Sequence, residues 1–259
     1  MNSLTSSYYL GLSGGYAAAL LGWLLISHLK PDLWGLRIDF HFKKPWLETL
    51  LVLVAAVGTL GVGRLYSAHW LFPESKNSFL PLSGIANQML IFSPFILLIA
   101  VRRHPLISAW LPLRSLIWRL GIGLSLALAA ITAFGLIGNP SETLGQILGN
   151  VYHPKNLSLA AQVFLEDFAI AIFFVRFRAA VGAKWFPAVV LTAAFLFSAA
   201  HYPQKISQGE TFWLATRDVL MDGALVSGAI LVLQKSRDIV WFWCVHFAMD
   251  MMQFYSGLG

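Results

Sequence analysis

Residues 114–137 read RSLIWRLGIGLSLALAAITAFGLI, and the eighteen residues that follow Arg119 in this segment carry no charge. The hydrocarbon core of a bilayer is about 30 Å thick, and an α-helix needs roughly 20 apolar residues to cross it. A segment of this length and composition therefore predicts a transmembrane helix.

The same pattern recurs along the chain and predicts an all-α, polytopic membrane protein of about eight transmembrane helices. The breaks between the apolar segments hold Pro and polar clusters such as Lys30-Pro31-Asp32, which end helices. No repeat or linker divides the chain, so residues 1–259 are predicted to form a single domain. The predicted spans are 8–29, 46–64, 80–101, 114–137, 157–176, 185–202, 212–233 and 239–255.

The composition agrees with a membrane protein. Hydrophobic residues make up 58% of the 259 residues and charged residues 12%, whereas a soluble domain carries about 25% charged residues. This scarcity of charge excludes a soluble enzyme, a disordered chain and a classical nucleic-acid-binding protein. Cys244 is the only cysteine, so an intrachain disulfide and a Cys-based metal cluster are excluded. Residues 1–7 hold no Lys or Arg, which favours a retained first span over a cleaved signal peptide.

Basic residues are divided unevenly between the two sides of the predicted bundle. Most of them lie on the side that holds the segments after spans 1, 3, 5 and 7. The opposite side holds only Arg64, Lys76, Lys155 and Lys205. Because Lys and Arg mark cytoplasmic loops, both termini are predicted to lie outside the cytoplasm. If the protein is bacterial, the membrane is the cell membrane. The segments after spans 1, 3, 5 and 7 hold Lys30, Arg37, Lys43, Lys44, Arg102, Arg103, Arg114, Arg176, Arg178, Lys184, Lys235 and Arg237.

Ionisable side chains inside the predicted spans are candidate functional residues, because placing them in lipid costs free energy. A rise of about 1.5 Å per residue puts Glu166 roughly 14 Å from the outer end of its span, while His201 lies near the outer end of the next span. His246 and Asp250 are four residues apart, so both project from one helix face. The full set is Arg119, Glu166, Asp167, His201, Arg217, Asp218, Asp222, His246 and Asp250.

A carboxylate and two imidazoles on three helices can thus meet around one water or ion. The carboxylate of Glu166 can take a proton from water, while His201 and His246 can bind a metal or donate to an oxyanion. This arrangement predicts hydrolytic chemistry. Asp218 and Asp222 form a second pair, four residues apart. Two interpretations of this pair are open: an internal ion pair with Arg119 or Arg217, or a place in the wall of the site.

Three short motifs resemble the signature of the CPBP intramembrane proteases, which include the type II CAAX prenyl endopeptidases and bacterial Abi-type proteins. The motifs are Glu166-Asp167, Phe197-Ser198-Ala199-Ala200-His201 and His246-Phe247-Ala248-Met249-Asp250. The family signature is a Glu pair with an Arg four residues after the second Glu, then Phe-x-x-x-His, then His-x-x-x-Asn or His-x-x-x-Asp. The resemblance covers residues 158–254 as a protease-like core of the single domain, and the predicted span count agrees with the eight helices of the prenyl endopeptidases.

The resemblance implies an intramembrane endopeptidase that acts on a membrane-anchored protein or peptide. It implies that Glu166 activates the attacking water, that His201 and His246 hold this water or polarise the scissile carbonyl, and that Asp250 replaces the final Asn or Asp of the family. Two mechanisms are open. One uses zinc held by His201, His246 and Asp250, and the other uses the glutamate without a metal.

Two positions depart from the family signature. Asp167 stands in place of the second Glu, and Ala171 stands in place of the Arg. An Arg at that position would be the i, i+4 partner of the carboxylate. We therefore expect Asp167 to be neutral or to meet a cation from another helix, and we favour Arg217 as that cation. Phe197 and Asp222 are expected to support the site.

Two further functions remain open at the level of sequence. One is an ion-coupled transporter in which Glu166, Asp218, Asp222 and Asp250 carry ions. The other is a catalytically inactive binding or immunity scaffold with the same fold, which the departures at Asp167 and Ala171 favour.

Overall fold

A computed structural model of the chain describes an all-helical bundle, and no strand occurs in the part of the chain that it describes. The fold class predicted from sequence is therefore confirmed. The described residues are 6–31, 40–73, 80–138, 142–200, 202–207 and 209–255.

The helices follow the predicted apolar segments in order. Short 3₁₀ turns at Leu106–Ala109 and Pro154–Asn156 precede two of them. The α-helices are α1 (Ser6–Leu29), α2 (Pro45–Ser67), α3 (Leu82–Ile91), α4 (Ser93–Arg102), α5 (Leu116–Gly138), α6 (Leu144–Val151), α7 (Leu157–Val181), α8 (Phe186–Ala200), α9 (Tyr202–Ser207), α10 (Phe212–Ser236) and α11 (Ile239–Tyr255).

Five of the described helices, α1, α2, α5, α7 and α10, are long and apolar enough to cross a membrane. The pair α3 and α4 reaches span length when its two halves are taken together, while α8 and α11 are apolar but shorter. The chain is thus a multi-pass membrane protein, and the eight predicted spans correspond to five long helices, one bent helix pair and two short helices. Large apolar side chains such as Leu60, Ile117 and Leu136 point out of the bundle, so the surrounding medium is a lipid bilayer.

The predicted span 80–101 is bent rather than continuous. Its two halves, α3 and α4, meet at Phe92 at an angle of 59°. Pro94 lies in the first turn of α4, where its missing N–H and its ring break the hydrogen-bond ladder of a continuous helix. The sequence-based prediction missed this bend because the apolar run continues across it.

Helix α7 lies inside the bundle and carries the candidate catalytic carboxylates. It packs against α2, α3 and α11, while α5 packs against α1 and α11. The close approach of α5 to α11 depends on Gly123, where an added Cβ would lie 2.8 Å from the Cα of Trp241 and 2.8 Å from the Sγ of Cys244.

Substituting Gly123 with Ala is therefore expected to destabilise the bundle by about 1–3 kcal/mol, because the backbone of α11 must move away. Gly121, two residues earlier in α5, is the matched control, since an added Cβ there meets nothing within 4 Å. Thermal unfolding of both variants in one detergent measures the difference. Equal unfolding temperatures for Gly123→Ala and Gly121→Ala would contradict the packing described.

Candidate functional site

The predicted catalytic residues on α7 and α11 come together in one group. Asp167 is fully buried, and its Oδ1 lies 2.9 Å from Nδ1 of His246 in a hydrogen bond between the two helices. The second oxygen, Oδ2, is also buried, and it has no hydrogen-bond partner among the described residues. Asp167 and His246 therefore form a buried carboxylate–imidazole pair in which Oδ2 of Asp167 can still accept a hydrogen bond.

The other ring nitrogen of His246 faces a second carboxylate. Its Nε2 lies 3.6 Å from Oδ1 of Asp250, one helical turn further along α11. The side chains of His246 and Asp250 are 22% and 29% exposed, so this side of the imidazole remains accessible. The i, i+4 spacing read from the sequence places both groups on one face, as predicted.

Glu166 completes the group from α7. Its Oε1 accepts a hydrogen bond of 2.9 Å from Nε2 of Gln162, one turn earlier. It lies within electrostatic range of Asp167, His246 and Asp250. We call Glu166, Asp167, His246 and Asp250 the carboxylate–imidazole cluster. A carboxylate beside an oriented imidazole is the arrangement that activates water.

Sequence analysis missed Gln162 as part of this site. The signal was present, because Gln162 stands four residues before Glu166 on the same face of α7. Its amide fixes one oxygen of Glu166 and leaves the other free to meet a ligand.

An apolar groove of about 490 Å³ lies between α5, α7 and α11, and none of the four cluster residues lines it. Phe164 and Trp243 line it, with ring centroids 5.4 Å apart, and each stands three residues before a cluster residue on its own helix. The Trp243 Nε1–H donates to the carbonyl oxygen of Ala160, which fixes this wall. The groove offers an apolar segment a place next to the polar cluster.

The expected pairing of Arg217 with Asp167 is wrong. Arg217 is 45% exposed on its side chain, and its guanidinium binds the adjacent Asp218 at 2.8 Å. Asp167 instead meets an imidazole from α11. The error arose because the nearest carboxylate of Arg217 is its own chain neighbour, which it reaches without entering the bundle.

In the acidic pair on α10, Asp218 meets Arg217, one of the two cations named from the sequence, whereas Asp222 meets Lys205, which was not named. Beyond Arg217, the Nζ of Lys205 lies 3.7 Å from Asp218 and 3.8 Å from Asp222. Asp222 is thus placed beside Lys205 of α9. Arg119, the other cation considered, pairs with the buried Asp238 at the turn before α11.

Two predicted site residues are not described. His201 lies outside the described residues, between α8 and α9, and the side chain of Phe197 in α8 is likewise outside them. A catalytic zinc takes three protein ligands. Among the described residues no group of three His, Cys, Asp or Glu side chains can hold a metal ion. Of the three predicted zinc ligands, His246 and Asp250 are described, so zinc remains a prediction.

Sequence analysis also missed a buried ionic group around Glu48. The carboxylate of Glu48 is 2% exposed and lies 2.6 Å from Nη2 of Arg102, 3.7 Å from Nε of Arg176 and 3.8 Å from Nδ1 of His104. We call these four residues the Glu48 cluster. It joins the first turn of α2, the last turn of α4 and the last part of α7.

Arg176 was expected in a cytoplasmic loop and is instead completely buried. The predicted span ended at residue 176, whereas α7 continues to Val181 and carries Arg176 inside the bundle. Glu48 stands inside predicted span 46–64 but was not among the candidate residues, although a carboxylate there signals a buried partner.

The imidazole of His104 is the neutral member of the Glu48 cluster. Burial is the largest influence and lowers the pKa of His104 below its ordinary value; Glu48 opposes this, and Arg176 and Arg102 add to it. The Nη2 of Arg176 lies 2.9 Å from Nδ1 of His104. A neutral ring accepts that hydrogen bond from the guanidinium.

A comparison of the chain with protein families, curated proteins and solved structures finds no match.

Proposed function

We propose that this protein is an intramembrane endopeptidase that hydrolyses a peptide bond in a membrane-anchored protein or peptide. The observation that carries the proposal is the buried Asp167 bound to His246 beside Glu166, inside apolar helices. Ionisable groups at such positions are expensive, and they are retained for function. The resemblance of the three motifs to the CPBP signature supports the same reaction class.

The cluster has the parts that general-base hydrolysis needs. The Nδ1–H of His246 donates to Asp167 and Nε2 faces the carboxylate of Asp250, so the ring between the two carboxylates is an imidazolium whose Nε2–H also donates. A water can then accept from the Nε2–H of His246 while it donates one hydrogen to the carboxylate of Glu166. The water is held with its oxygen lone pair directed at the substrate.

Glu166 carries out both proton transfers of the reaction. Glu166 takes a proton from the water as the oxygen attacks the scissile carbonyl carbon, giving a tetrahedral intermediate. Glu166 returns that proton to the leaving nitrogen as the C–N bond breaks. The products are a new carboxylic acid, which keeps the second proton of the water, and a new amine, and Glu166 is an ionised carboxylate again.

The geometry accounts for both departures from the family signature. Asp167 is one methylene shorter than Glu, and from α7 it reaches Nδ1 of His246 at 2.9 Å. The position of the missing Arg, Ala171, is fully buried, so a long side chain there would have to displace packed neighbours. In the family signature the partner of the second carboxylate is an Arg on the same helix, whereas here the partner is His246 on α11.

The substrate class follows from the groove beside the cluster. Its lining is almost entirely apolar, and it adjoins the lipid-facing ends of Leu116 and Leu157. An apolar segment of a membrane-anchored protein can enter it from the bilayer and extend along α7 toward the carboxylate–imidazole cluster. A hydrophilic peptide has nothing to bind there.

Asp167→Asn is expected to lower the rate of peptide cleavage by about 10- to 100-fold, because a neutral amide no longer holds His246 in its charged and oriented form. Asp167→Glu, which restores the family residue, is expected to retain more activity than Asp167→Asn. Both rates are measured in proteoliposomes with a library of single-span peptides. If Asp167→Asn cleaves peptides as fast as the unmodified protein, the orientation of His246 by Asp167 has no part in the mechanism.

We also propose that both termini lie outside the cytoplasm. Taking Arg176 into the bundle still leaves most of the basic residues on one side. A C-terminal alkaline phosphatase fusion is expected to be active and a C-terminal green fluorescent protein fusion dark in a bacterial host. The opposite result would invert the orientation and place the cluster in the other half of the bilayer.

A further inference from the structure

The carboxylate–imidazole cluster holds more negative than positive charge. Three of its members are carboxylates, Glu166, Asp167 and Asp250, and the fourth is the imidazole of His246. Among the residues that the structure describes, no Lys or Arg lies within 4 Å of these carboxylates, and their charged neighbours are other members of the cluster. One imidazolium therefore balances one of three negative charges, and the cluster as a whole is anionic.

Asp250 is the carboxylate of the cluster that a ligand can reach. Its side chain is 29% exposed, whereas Asp167 is fully buried and Oε1 of Glu166 is bound to Gln162. Within the described ranges no residue donates a hydrogen bond to Asp250, and its separation of 3.6 Å from Nε2 of His246 is longer than a hydrogen bond. The oxygens of Asp250 can therefore accept hydrogen bonds from a bound molecule.

The position of Asp250 along its helix indicates which part of a substrate can supply the donor. Asp250 stands five residues before Tyr255, the last residue of α11, so it lies about 8 Å from the end of that helix. Lys and Arg occur close to the ends of membrane spans, where their long side chains reach out of the apolar core. A Lys or Arg near the end of a substrate span can thus approach Asp250 while the apolar part of the span stays in the bilayer.

We propose that Asp250 selects substrates that carry a Lys or Arg beside the scissile bond. This inference rests on the endopeptidase activity proposed above and adds the class of residue that the site recognises. Charged groups in apolar surroundings are stabilised by a partner of opposite sign, and the ammonium or guanidinium of the substrate supplies it. Hydrogen bonds between such a cation and a carboxylate are about twice as strong as those between neutral groups. An acidic residue at the same position would add to the negative charge, so the site rejects it.

The test uses single-span peptides that differ in one residue, which is Lys, Gln or Glu. The residue is placed in turn at each position in the last two turns of the span. Binding to the Glu166→Gln variant, which keeps Asp250, is measured by fluorescence anisotropy in lipid nanodiscs, and cleavage by the unmodified protein gives kcat/KM. At one or more positions the Lys peptide is expected to bind and to be cleaved at least about tenfold better than the Gln peptide, and the Glu peptide worse than both. Equal values for Lys and Gln at every position, or no binding of either, would overturn the proposal.

Variants of Asp250 locate the recognition. Asp250→Asn keeps the size of the side chain and removes its charge, so the preference for Lys over Gln is expected to disappear, whereas Asp250→Glu is expected to keep it. The readout is the ratio of the two peptides, which a general loss of rate does not change. Glu210→Gln is the matched control, because it removes a half-buried carboxylate outside the cluster. A preference that survives Asp250→Asn, or that is lost equally in Glu210→Gln, would overturn the role of Asp250. If Asp250→Asn does not fold, the order of the three peptides on the unmodified protein decides the matter.

The two measurements separate this inference from the endopeptidase activity. Peptides that bind with a preference for Lys but stay intact would support recognition by Asp250 and contradict hydrolysis. Peptides that are cleaved without that preference would support hydrolysis and overturn recognition by Asp250.

Discussion

Replacing Glu166 with Gln is expected to reduce the rate of peptide cleavage by about 10²–10⁴-fold. The amide has the size of the carboxylate and can still bond to Gln162, but it cannot accept a proton from water. The folded bundle should therefore persist while the reaction stops. Product formation in proteoliposomes, with gel filtration as a check on folding, measures both effects.

The control for this variant is Glu210→Gln. Glu210 is a half-buried carboxylate that stands before α10, outside the carboxylate–imidazole cluster. Its substitution is expected to leave cleavage unchanged. If Glu166→Gln cleaves as fast as this control, Glu166 is not the base, and the binding scaffold becomes the better description of the fold.

Replacing Glu48 with Gln is expected to lower the free energy of unfolding by about 3–5 kcal/mol. Arg176 is completely buried, and losing the carboxylate leaves its guanidinium and that of Arg102 without their counter-charge. Removing one member of a buried ion pair costs far more than the pair contributes when intact. Unfolding by denaturant in mixed micelles measures the loss.

A double variant separates this charge effect from a packing effect. In Glu48→Gln/Arg176→Gln both buried charges are gone, so most of the lost stability should return. A Glu48→Gln variant that loses less than about 1 kcal/mol would contradict the structural role of the Glu48 cluster. An additive loss in the double variant would show that shape, and not charge, matters at this position.

The transmembrane architecture was predictable because hydropathy and bilayer thickness together determine span length. Residues 212–233 and 239–255, read as spans, are found as α10 and α11 with nearly the same bounds. The bend at Phe92 was not predicted, since Pro94 interrupts hydrogen bonding without interrupting the apolar run. Helix ends were equally hard to place, and the extension of α7 past residue 176 changed Arg176 from a loop residue into a buried one.

The candidate site was predictable as far as helix faces allow. The i, i+4 spacing put His246 and Asp250 together, and the rarity of carboxylates in apolar helices marked Glu166 and Asp167. The sequence did not reveal that Asp167 bonds to Nδ1 of His246, because that contact depends on how α7 and α11 are rotated against each other. Arg217 was a wrong choice of partner because its guanidinium binds the adjacent Asp218 on α10.

The most direct test of the proposed activity is peptide hydrolysis in water enriched in ¹⁸O. The purified chain in proteoliposomes is incubated with single-span peptides, and mass spectrometry searches for new carboxyl termini. We predict products from the unmodified protein whose new terminus carries one ¹⁸O, and none above background from Glu166→Gln. Products formed equally by Glu166→Gln, or intact peptides throughout with ion flux that depends on Glu166, would contradict the assignment as an endopeptidase.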